Sequence, residues 1–264
     1  MDLSIVVPAF KQAQTICSDL TALTTFLDTA HISHEIIVVI DGDIDSTSNQ
    51  IARDTQLSNI RVITLEENHG KGYALRTGLL EASGTIIGFI DAGGDIEYTC
   101  LTIMLDLMKF SGADIIIGSK RHPLSQVEYP LIRHIYSFGY QLLNRMLFHL
   151  NVRDTQVGVK LFKKEVLMTI LPYVQIDRFA FDLELLVHAK AFGYAHIIES
   201  PVRITHRFNS TIHPLIIWET LYDTMGLFFR TFRKRNKTQL SSGISVSFIS
   251  SPTNAEQSKE YSKR

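Results

Sequence analysis

Continuous apolar runs, separated by segments with helical spacing, recur through the first half of the chain. Val and Ile dominate these runs, which cover residues 3–7, 35–40, 60–65, 85–90 and 114–117. Strands that are apolar on both faces are typical of a parallel sheet covered by helices on both sides. We therefore expect an α/β fold with a Rossmann-like, mostly parallel central sheet flanked by helices.

The segments between and after these runs complete the predicted organisation. Apolar spacing predicts helices over residues 15–30, 46–56, 71–83, 98–110, 131–150, 181–192 and 213–235. Further strands are predicted over residues 159–162 and 197–203. From about residue 238 the chain is rich in serine and charged residues, which is typical of a disordered tail. The predicted parts are an α/β domain (1–212), an amphipathic basic helix (213–237) and a tail (238–264).

Composition limits the function classes. The chain has 264 residues, 45% of them hydrophobic, and a net charge of -1, which suits one globular domain and does not indicate a nucleic acid partner. The first residues read as a strand and not as a signal peptide. No run approaches the roughly 18 apolar residues of a membrane span. We expect a cytoplasmic protein that is at most peripheral to a membrane.

Acidic residues follow two of the predicted strands. Asp41 comes at the end of the second strand with Asp43 and Asp45, and Asp91 follows the fourth strand with Asp95. Ligands of open parallel sheets bind at the carboxyl ends of strands. Carboxylates accept hydrogen bonds from bases and ribose hydroxyls, and they hold Mg²⁺ beside phosphate groups. The alternative, ordinary turn residues, is stronger for Asp43 and Asp45 than for Asp41 and Asp91.

A glycine-containing turn, residues 68–72 (NHGKG), lies between the third strand and the next helix. Its glycines would let the backbone approach a ligand, and a helix N-terminus favours an anion. The turn does not match a Walker phosphate loop, and the first strand lacks the GxGxxG of dinucleotide-binding folds.

These motifs together resemble the family 2 glycosyltransferases of the GT-A fold. Within that family the chain is most similar to polyprenyl (dolichyl) phosphate sugar transferases of the glucosyl and mannosyl types. The resemblance spans residues 1 to about 235 and rests on the order and spacing of VVPAF (6–10), VIDG (39–42), NHGKGYA (68–74), FIDA (89–92), GSKR (118–121), DTQVGVK (154–160) and RFAFDLE (178–184). The last two are most like the glucosyl branch.

The resemblance implies an inverting transfer of a hexose from a nucleotide diphosphate sugar, of the UDP-glucose or GDP-mannose type, to a polyprenyl or dolichyl phosphate. It implies Mg²⁺ or Mn²⁺ as cofactor. The residues that it places at the nucleotide sugar are Pro8, Ala9, Phe10, Asp41, Lys71, Asp91 and Ala92. Arg207 would reach the donor diphosphate, and Lys120, Arg121 and Arg133 would face the acceptor phosphate.

The expected metal site departs from the family pattern. Asp91 would hold the metal, but Gly93 stands where the family has a second aspartate. Asp95 would then be the second ligand, because Mg²⁺ takes substrate oxygens and water besides one or two carboxylates. Near the start, Lys11 and Gln12 replace the usual Asn-Glu, which removes an expected nucleoside contact.

The acceptor decides which further groups the chemistry needs. A hydroxyl acceptor needs a general base, for which Asp182 and Glu184 are candidates, whereas a phosphate acceptor needs cations to position it. Either residue could instead orient the acceptor or form an ion pair with Arg178. Lys120, Arg121 and Arg133 could also be a solvated charged surface. A glycan or other hydroxyl acceptor, as in cell-wall or polysaccharide synthesis, and a non-catalytic nucleotide-sugar-binding module remain the alternative functions.

Two helices bear on membrane contact. Apolar residues beside a basic cluster in residues 213–235 predict a helix at the membrane interface, with packing on the domain or a partner as the alternative. The aromatic residues of the helix at 131–150 favour core packing over a lipid groove; they are Tyr136, Phe138, Tyr140 and Phe148.

Overall fold

A computed structural model describes residues 2–54, 57, 60–127, 131–205 and 214–241; for 131–137, 214 and 233–241 it describes the backbone alone. The strands are β1 (Leu3–Ala9), β2 (His34–Asp41), β3 (Arg61–Leu65), β4 (Ile86–Ile90), β5 (Ile115–Ser119), β6 (Gln126–Val127), β7 (Val159–Lys163), β8 (Ile197–Pro201) and β9 (Arg203–Ile204). The helices are α1 (Ile16–Thr29), α2 (Thr47–Arg53), α3 (Lys71–Leu80), α4 (Thr99–Ser111), α5 (Leu131–Phe148), α6 (Lys164–Ile170), α7 (Phe181–Ala191) and α8 (Pro214–Ser241).

The main sheet confirms the predicted α/β fold. Its seven strands have the order β3-β2-β1-β4-β7-β5-β8, and only the pairings of β7 with β4 and β5 are antiparallel. Strands β6 and β9 form a separate two-stranded sheet. The carboxyl ends of β1, β2, β4 and β5 therefore meet at one edge, where the acidic residues were predicted to gather.

Strand β7 runs antiparallel to its two neighbours, and its direction determines which residues lie beside the end of β4. The strand predicted over residues 159–162 is present, and it is inserted antiparallel between β4 and β5. Because β7 begins at the edge where its neighbours end, the segment that precedes it lies beside the end of β4. The backbone N–H of Asp91 accordingly donates to the carbonyl oxygen of Gly158 at 2.8 Å.

Helices cover the sheet through their apolar faces. On α1 the buried residues Ile16, Leu20, Leu23 and Leu27 recur at helical spacing, as the sequence predicts. Helix α3 approaches the sheet at Gly78, where a Cβ atom would lie 2.5 Å from a methyl group of Val6. The absence of a side chain at this position allows the close packing of α3 on β1 and β2.

Several boundaries differ from the sequence prediction. Helix α6 and a 3₁₀ turn at Leu171–Tyr173 follow β7 directly and were not predicted. The last predicted strand is divided into β8 and β9. Helix α8 continues to Ser241, past the predicted start of the tail at 238, and the rest of that tail, residues 242–264, lies outside the described residues.

The chain separates into two compact units, Met1–Leu227 and Phe228–Arg264, the second of which is described as far as Ser241. Helix α8 contributes residues to both. Among the described helices, none is both long and apolar enough to cross a lipid bilayer.

The packing of α3 yields a prediction about Gly78. Replacing Gly78 by Ala should lower the free energy of unfolding by about 1–3 kcal/mol, because the new methyl group overpacks the contact with Val6. Gly139→Ala, in α5, is the matched control, since a Cβ atom there meets nothing within 4 Å. The control should be neutral or raise stability by up to about 1 kcal/mol, as expected for Gly→Ala in a helix. Urea denaturation of both variants decides, and equal effects would contradict the packing argument.

Candidate active site

The site lies where the strand order reverses. Strand β1 pairs with β2 as far as Ala9 and with β4 only as far as Val6. A crevice therefore opens between the ends of β1 and β4, which is the position where open α/β sheets bind ligands. Pro8 and Ala9 are inside β1, and Phe10, the next residue, is 39% exposed at the edge.

Asp41, at the end of β2, organises the neighbouring loop. Its two carboxylate oxygens accept the backbone N–H groups of His69 and Gly70, each at 2.8 Å. Asn68 donates its side-chain amide to the carbonyl oxygen of Asp41 at 3.2 Å. The anion predicted at this helix N-terminus is thus supplied by the protein itself, although each carboxylate oxygen retains capacity for a further hydrogen bond.

The glycines of this loop admit another part of the chain. A Cβ atom on Gly70 would lie 2.5 Å from the carbonyl oxygen of Asp177, and one on Gly72 would lie 2.6 Å from that of Ile176. Gly70 also has a φ of +106°, which L side chains rarely adopt. The backbone N–H of Tyr73 donates to the Asp177 carbonyl oxygen at 3.1 Å. These contacts bring the segment before α7 against the start of α3.

Four charged side chains lie in a row near the carboxyl ends of the strands, and positive and negative groups alternate along this row. The Lys71 ammonium donates to Asp91 Oδ2 at 2.9 Å and lies 2.7 Å from Asp91 Oδ1 and 3.5 Å from Asp182 Oδ2. Lys160 donates to Asp182 Oδ1 and, at 2.8 Å, to the carbonyl oxygen of Val157. Both lysines lie over the ring of Phe89. We call Lys160, Asp182, Lys71 and Asp91 the charge chain.

Burial and neighbouring charges act in opposition on the two lysines. Burial alone lowers the pKa of Lys71, but the carboxylates of Asp182 and Asp91 outweigh it and leave that pKa raised. Burial also lowers the pKa of Lys160, and there the attraction of Asp182 does not fully compensate. The Lys71 ammonium is therefore the more firmly charged of the two.

The surroundings of Asp91 leave little space. A Cβ atom on Gly158 would overlap Asp91 Oδ2, so the glycine of the DTQVG segment is required by the carboxylate beside it. Ala92 packs against the hydrophobic core. Gly93 has a φ of +104° and donates its N–H to the buried Asp19 at 3.1 Å. The carbonyl oxygen of Asp95 accepts the N–H of Thr205 at 2.9 Å.

Asp43 and Asp45 act within the protein, which agrees with their interpretation as turn residues. Asp43 accepts the backbone N–H and the hydroxyl of Ser48. Asp45 accepts the N–H of Ala13 at 3.0 Å and the hydroxyl of Thr47 at 2.6 Å. Although burial raises it, these hydrogen bonds hold the pKa of Asp45 below its ordinary value. Asp45 therefore braces the loop that follows Phe10, and Asp43 braces the first turn of α2.

Lys120 and Arg121 lie at the end of β5, further along the same edge. The Lys120 ammonium is 3.8 Å from Asp154 Oδ2, which also accepts the Lys120 backbone N–H. Arg121 donates to the side chain of Gln141, and its guanidinium lies 5.6 Å from the ring centre of Phe138. These two cations are thus held by residues of the DTQVG segment and of α5.

Other candidates are separated from this cluster or are outside the described residues. Glu184 accepts the backbone N–H groups of Gln175 and Ile176 and so stabilises the turn before α7. Arg178 pairs with Asp223 at 3.0 Å and lies 3.8 Å from Glu219, both on α8, and not with Asp182 or Glu184 as the sequence suggested. Arg207 and the side chain of Arg133 lie outside the described residues.

Sequence reasoning missed the importance of Lys160. The residue was noted only as part of a motif, yet it is the fully buried end of the charge chain. A lysine in the middle of an otherwise apolar strand was the available signal, because buried lysines require a partner.

Comparison with known proteins assigns the family. The model of glycosyl transferase family 2 matches residues 4–171. The chain is 31% identical over 226 residues to a dolichyl-phosphate beta-glucosyltransferase of Dictyostelium discoideum, which covers 80% of this chain and 69% of the relative. It is 30% identical over 233 residues to the human protein of the same name, covering 82% and 71%. The chain belongs to glycosyl transferase family 2 and is a glycosyltransferase.

Solved structures confirm the GT-A-like fold. Mannosyl-3-phosphoglycerate synthase from Rubrobacter xylanophilus has a TM-score of 0.70 at 17% identity, covering 89% of this chain and 75% of that protein. Glucosyl-3-phosphoglycerate synthase from Mycobacterium tuberculosis, in complex with Mn²⁺, UDP and glucosyl-3-phosphoglycerate, has a TM-score of 0.64 at 18% identity, covering 86% and 79%.

The contacts of Asp41 yield a prediction for the loop at 68–70. Asp41→Asn should lower the free energy of unfolding by about 1–3 kcal/mol, because an amide NH₂ then faces a backbone N–H that the carboxylate accepted. Asp43→Asn is the matched control, since the Ser48 hydroxyl can rotate to accept from the new amide. Amide exchange at His69 and Gly70 should accelerate in the first variant alone, and unchanged exchange there would refute the proposed bracing.

Proposed function

We propose that the chain transfers a hexose from a nucleotide diphosphate sugar, of the UDP-glucose or GDP-mannose type, to a polyprenyl phosphate such as dolichyl phosphate, with inversion at the anomeric carbon. The observation that carries this proposal is the division of one sheet edge into two parts. Carboxylates gather at the ends of β2 and β4, and cations gather at the end of β5. The names of the similar proteins support the glucosyl and dolichyl choices.

The donor half is the crevice between β1 and β4. Phe10 at its rim offers a ring surface, and the spare acceptor capacity of Asp41 suits base or ribose groups. We assign the nucleotide to this crevice, lined by Pro8, Ala9, Phe10, Asp41, Lys71, Asp91 and Ala92. Arg207 is proposed to reach the diphosphate.

The residues at Asp91 fit a divalent cation in part. Among the described residues, no group of three or more His, Cys, Asp or Glu is arranged to hold a metal. However, Asp91 Oδ1 is buried and, although the Lys71 ammonium lies 2.7 Å away, it accepts no aligned hydrogen bond. Mg²⁺ commonly takes one or two carboxylates and completes its shell with substrate phosphates and water. We propose Asp91, with Asp95, as the protein ligands of Mg²⁺ or Mn²⁺, which when bound would stabilise charge on the departing nucleotide.

The acceptor half pairs cations with an apolar surface. Lys120 and Arg121 would bind a phosphate group, together with Arg133. Phe138, beneath the Arg121 guanidinium, begins an exposed stripe on α5 that continues at Leu142 and Met146. Phe148 is buried as core packing predicts, but Phe138 is 61% exposed. A cation beside exposed apolar residues is suited to a lipid phosphate.

The chemistry requires little from the protein beyond positioning. An oxygen of the acceptor phosphate would attack the anomeric carbon as the bond to the nucleoside diphosphate breaks, so the sugar inverts and the diphosphate leaves. A phosphate nucleophile is already anionic and needs no base. Asp182 is almost fully buried and faces two lysines, which favours a positioning role for it over that of a base.

A screen of donors and acceptors tests the proposal. The purified full chain should transfer hexose from UDP-glucose to polyprenyl phosphate with Mg²⁺ or Mn²⁺ present, with the product read by mass. Asp91→Asn should reduce transfer by roughly 100-fold, because it removes the principal carboxylate of the donor site. Asp43→Asn, on the same edge, should retain transfer.

The acceptors used in this screen distinguish the proposed function from the alternative functions. Polyprenol and glycan acceptors should give no product if the nucleophile is a phosphate. Transfer to hydroxyl acceptors instead would indicate a polysaccharide-type transferase. Binding of UDP-glucose without turnover on any acceptor would indicate a non-catalytic binding module and refute the proposal.

We further propose that the protein is peripheral at the cytoplasmic face of a membrane. In the first unit, α8 exposes Leu215, Trp218, Tyr222 and Met225 at alternating spacings of three and four residues. The second unit exposes Phe229 and Phe232, and the sequence there adds the basic residues Arg230, Arg233, Lys234 and Arg235. Aromatic residues beside arginine and lysine are typical of helices that lie in the interface of anionic membranes.

Flotation with liposomes containing phosphatidylserine tests membrane contact. The full chain should float with these liposomes at low salt, and Trp218→Ser combined with Tyr222→Ser should abolish most of the binding. Phe110→Ser is the control, because Phe110 is an equally exposed aromatic on α4. A chain that stays in solution, or a control that loses as much binding as the α8 variant, would refute the proposal.

A further inference from the structure

The charge chain runs from the interior of the sheet to its edge. Lys160 has no exposed side-chain surface and Asp182 almost none, whereas the side chain of Lys71 is 15% exposed and that of Asp91 is 40% exposed. Two positive and two negative groups balance one another. Only the outer pair, Lys71 and Asp91, can meet a ligand in the crevice.

The inner lysine is fixed, while the outer lysine is shared. Lys160 belongs to β7, which pairs on both sides, and it is hydrogen-bonded to Asp182 and the Val157 carbonyl oxygen. Lys71 is close to Asp91 and 3.5 Å from Asp182. That second distance exceeds an ordinary charge-assisted hydrogen bond by less than about 1 Å. A small movement of the Lys71 side chain would therefore exchange one carboxylate partner for the other.

We infer that Lys71 is a movable counter-cation that neutralises Asp91 when no metal is bound and shifts to Asp182 when a divalent cation binds. Lys160 and Asp182 are then positioning residues, because they set how strongly Lys71 is drawn inward. This inference rests on the proposed donor site at Asp91. A divalent cation at Asp91 repels the ammonium, and Asp182 provides a buried carboxylate to receive it.

Two substitutions away from the metal should change its affinity in opposite directions. In Lys160→Met, Lys71 is the one cation left beside Asp182 among the described residues, so Lys71 moves inward and releases Asp91. The affinity for Mn²⁺ should rise on the order of threefold or more. In Asp182→Asn, Asp91 is the one carboxylate left beside Lys71 in the described part of the chain, and the affinity for Mn²⁺ should fall by a similar factor. A merely structural role for either residue would not raise the affinity.

The double variant Lys160→Met with Asp182→Asn separates this exchange from long-range electrostatics. It leaves the net charge of the wild type, so a purely electrostatic effect predicts wild-type affinity for Mn²⁺. The exchange predicts weakened affinity, as in Asp182→Asn alone, because Lys71 has no second carboxylate. Lys163→Met, on the same strand and paired with Asp114 at the opposite end, is the control and should behave as wild type.

Electron paramagnetic resonance of free Mn²⁺, titrated into the full chain with saturating UDP, gives these affinities without relying on turnover. Thermal melts followed by circular dichroism check folding, and Lys160→Gln replaces Lys160→Met in both the single and the double variant if Lys160→Met is unstable. Opposite shifts in the single variants with a weakened double variant support the inference. Shifts of the same sign, or a double variant equal to wild type, overturn it. A wild type that binds UDP but no Mn²⁺ would instead refute the proposed metal site, and with it the inference.

Discussion

One ammonium group joins three segments that are far apart in the chain. Lys71 begins α3, Asp91 follows β4 and Asp182 lies in the first turn of α7. A buried charge without a partner costs several kcal/mol, so the Lys71 ammonium can take its position only when these carboxylates are beside it. The order of the sheet edge therefore depends on this meeting, and the glycines at 70 and 72 are what allow α7 to come close enough.

The parallel half of the fold could be predicted from the sequence because its signals are local. Each apolar run is long enough to be a buried strand, and each following segment has helical spacing, as in Ile16, Leu20, Leu23 and Leu27. The direction of β7 could not be predicted in this way. Its position depends on pairing with strands that lie about 40 to 70 residues earlier in the chain, and no local pattern records such a partner.

The sequence predicted which charged groups lie at the site but not the contacts that they make with one another. Strand-end position brought Asp41 and Asp91 to one edge, and the helix N-terminus at residue 70 called for an anion. The identity of that anion could not be read, because a carboxylate held by the adjacent strand satisfies the same N–H groups as a ligand phosphate would. Lys160 was overlooked for a related reason, since its partner Asp182 comes from another element.

Strand β7 also explains how the two halves of the edge are connected. The segment that leads into it pairs Asp154 with Lys120 on the side of β5 and places Gly158 against Asp91 on the side of β4. Two residues after Gly158, Lys160 forms the interior end of the charge chain. These three contacts lie within seven consecutive residues. Because the backbone between them is short and packed, a movement of the residues at the end of β4 would also affect the residues at the end of β5. In the proposed function, this short antiparallel insertion would couple the donor half of the edge to the acceptor half.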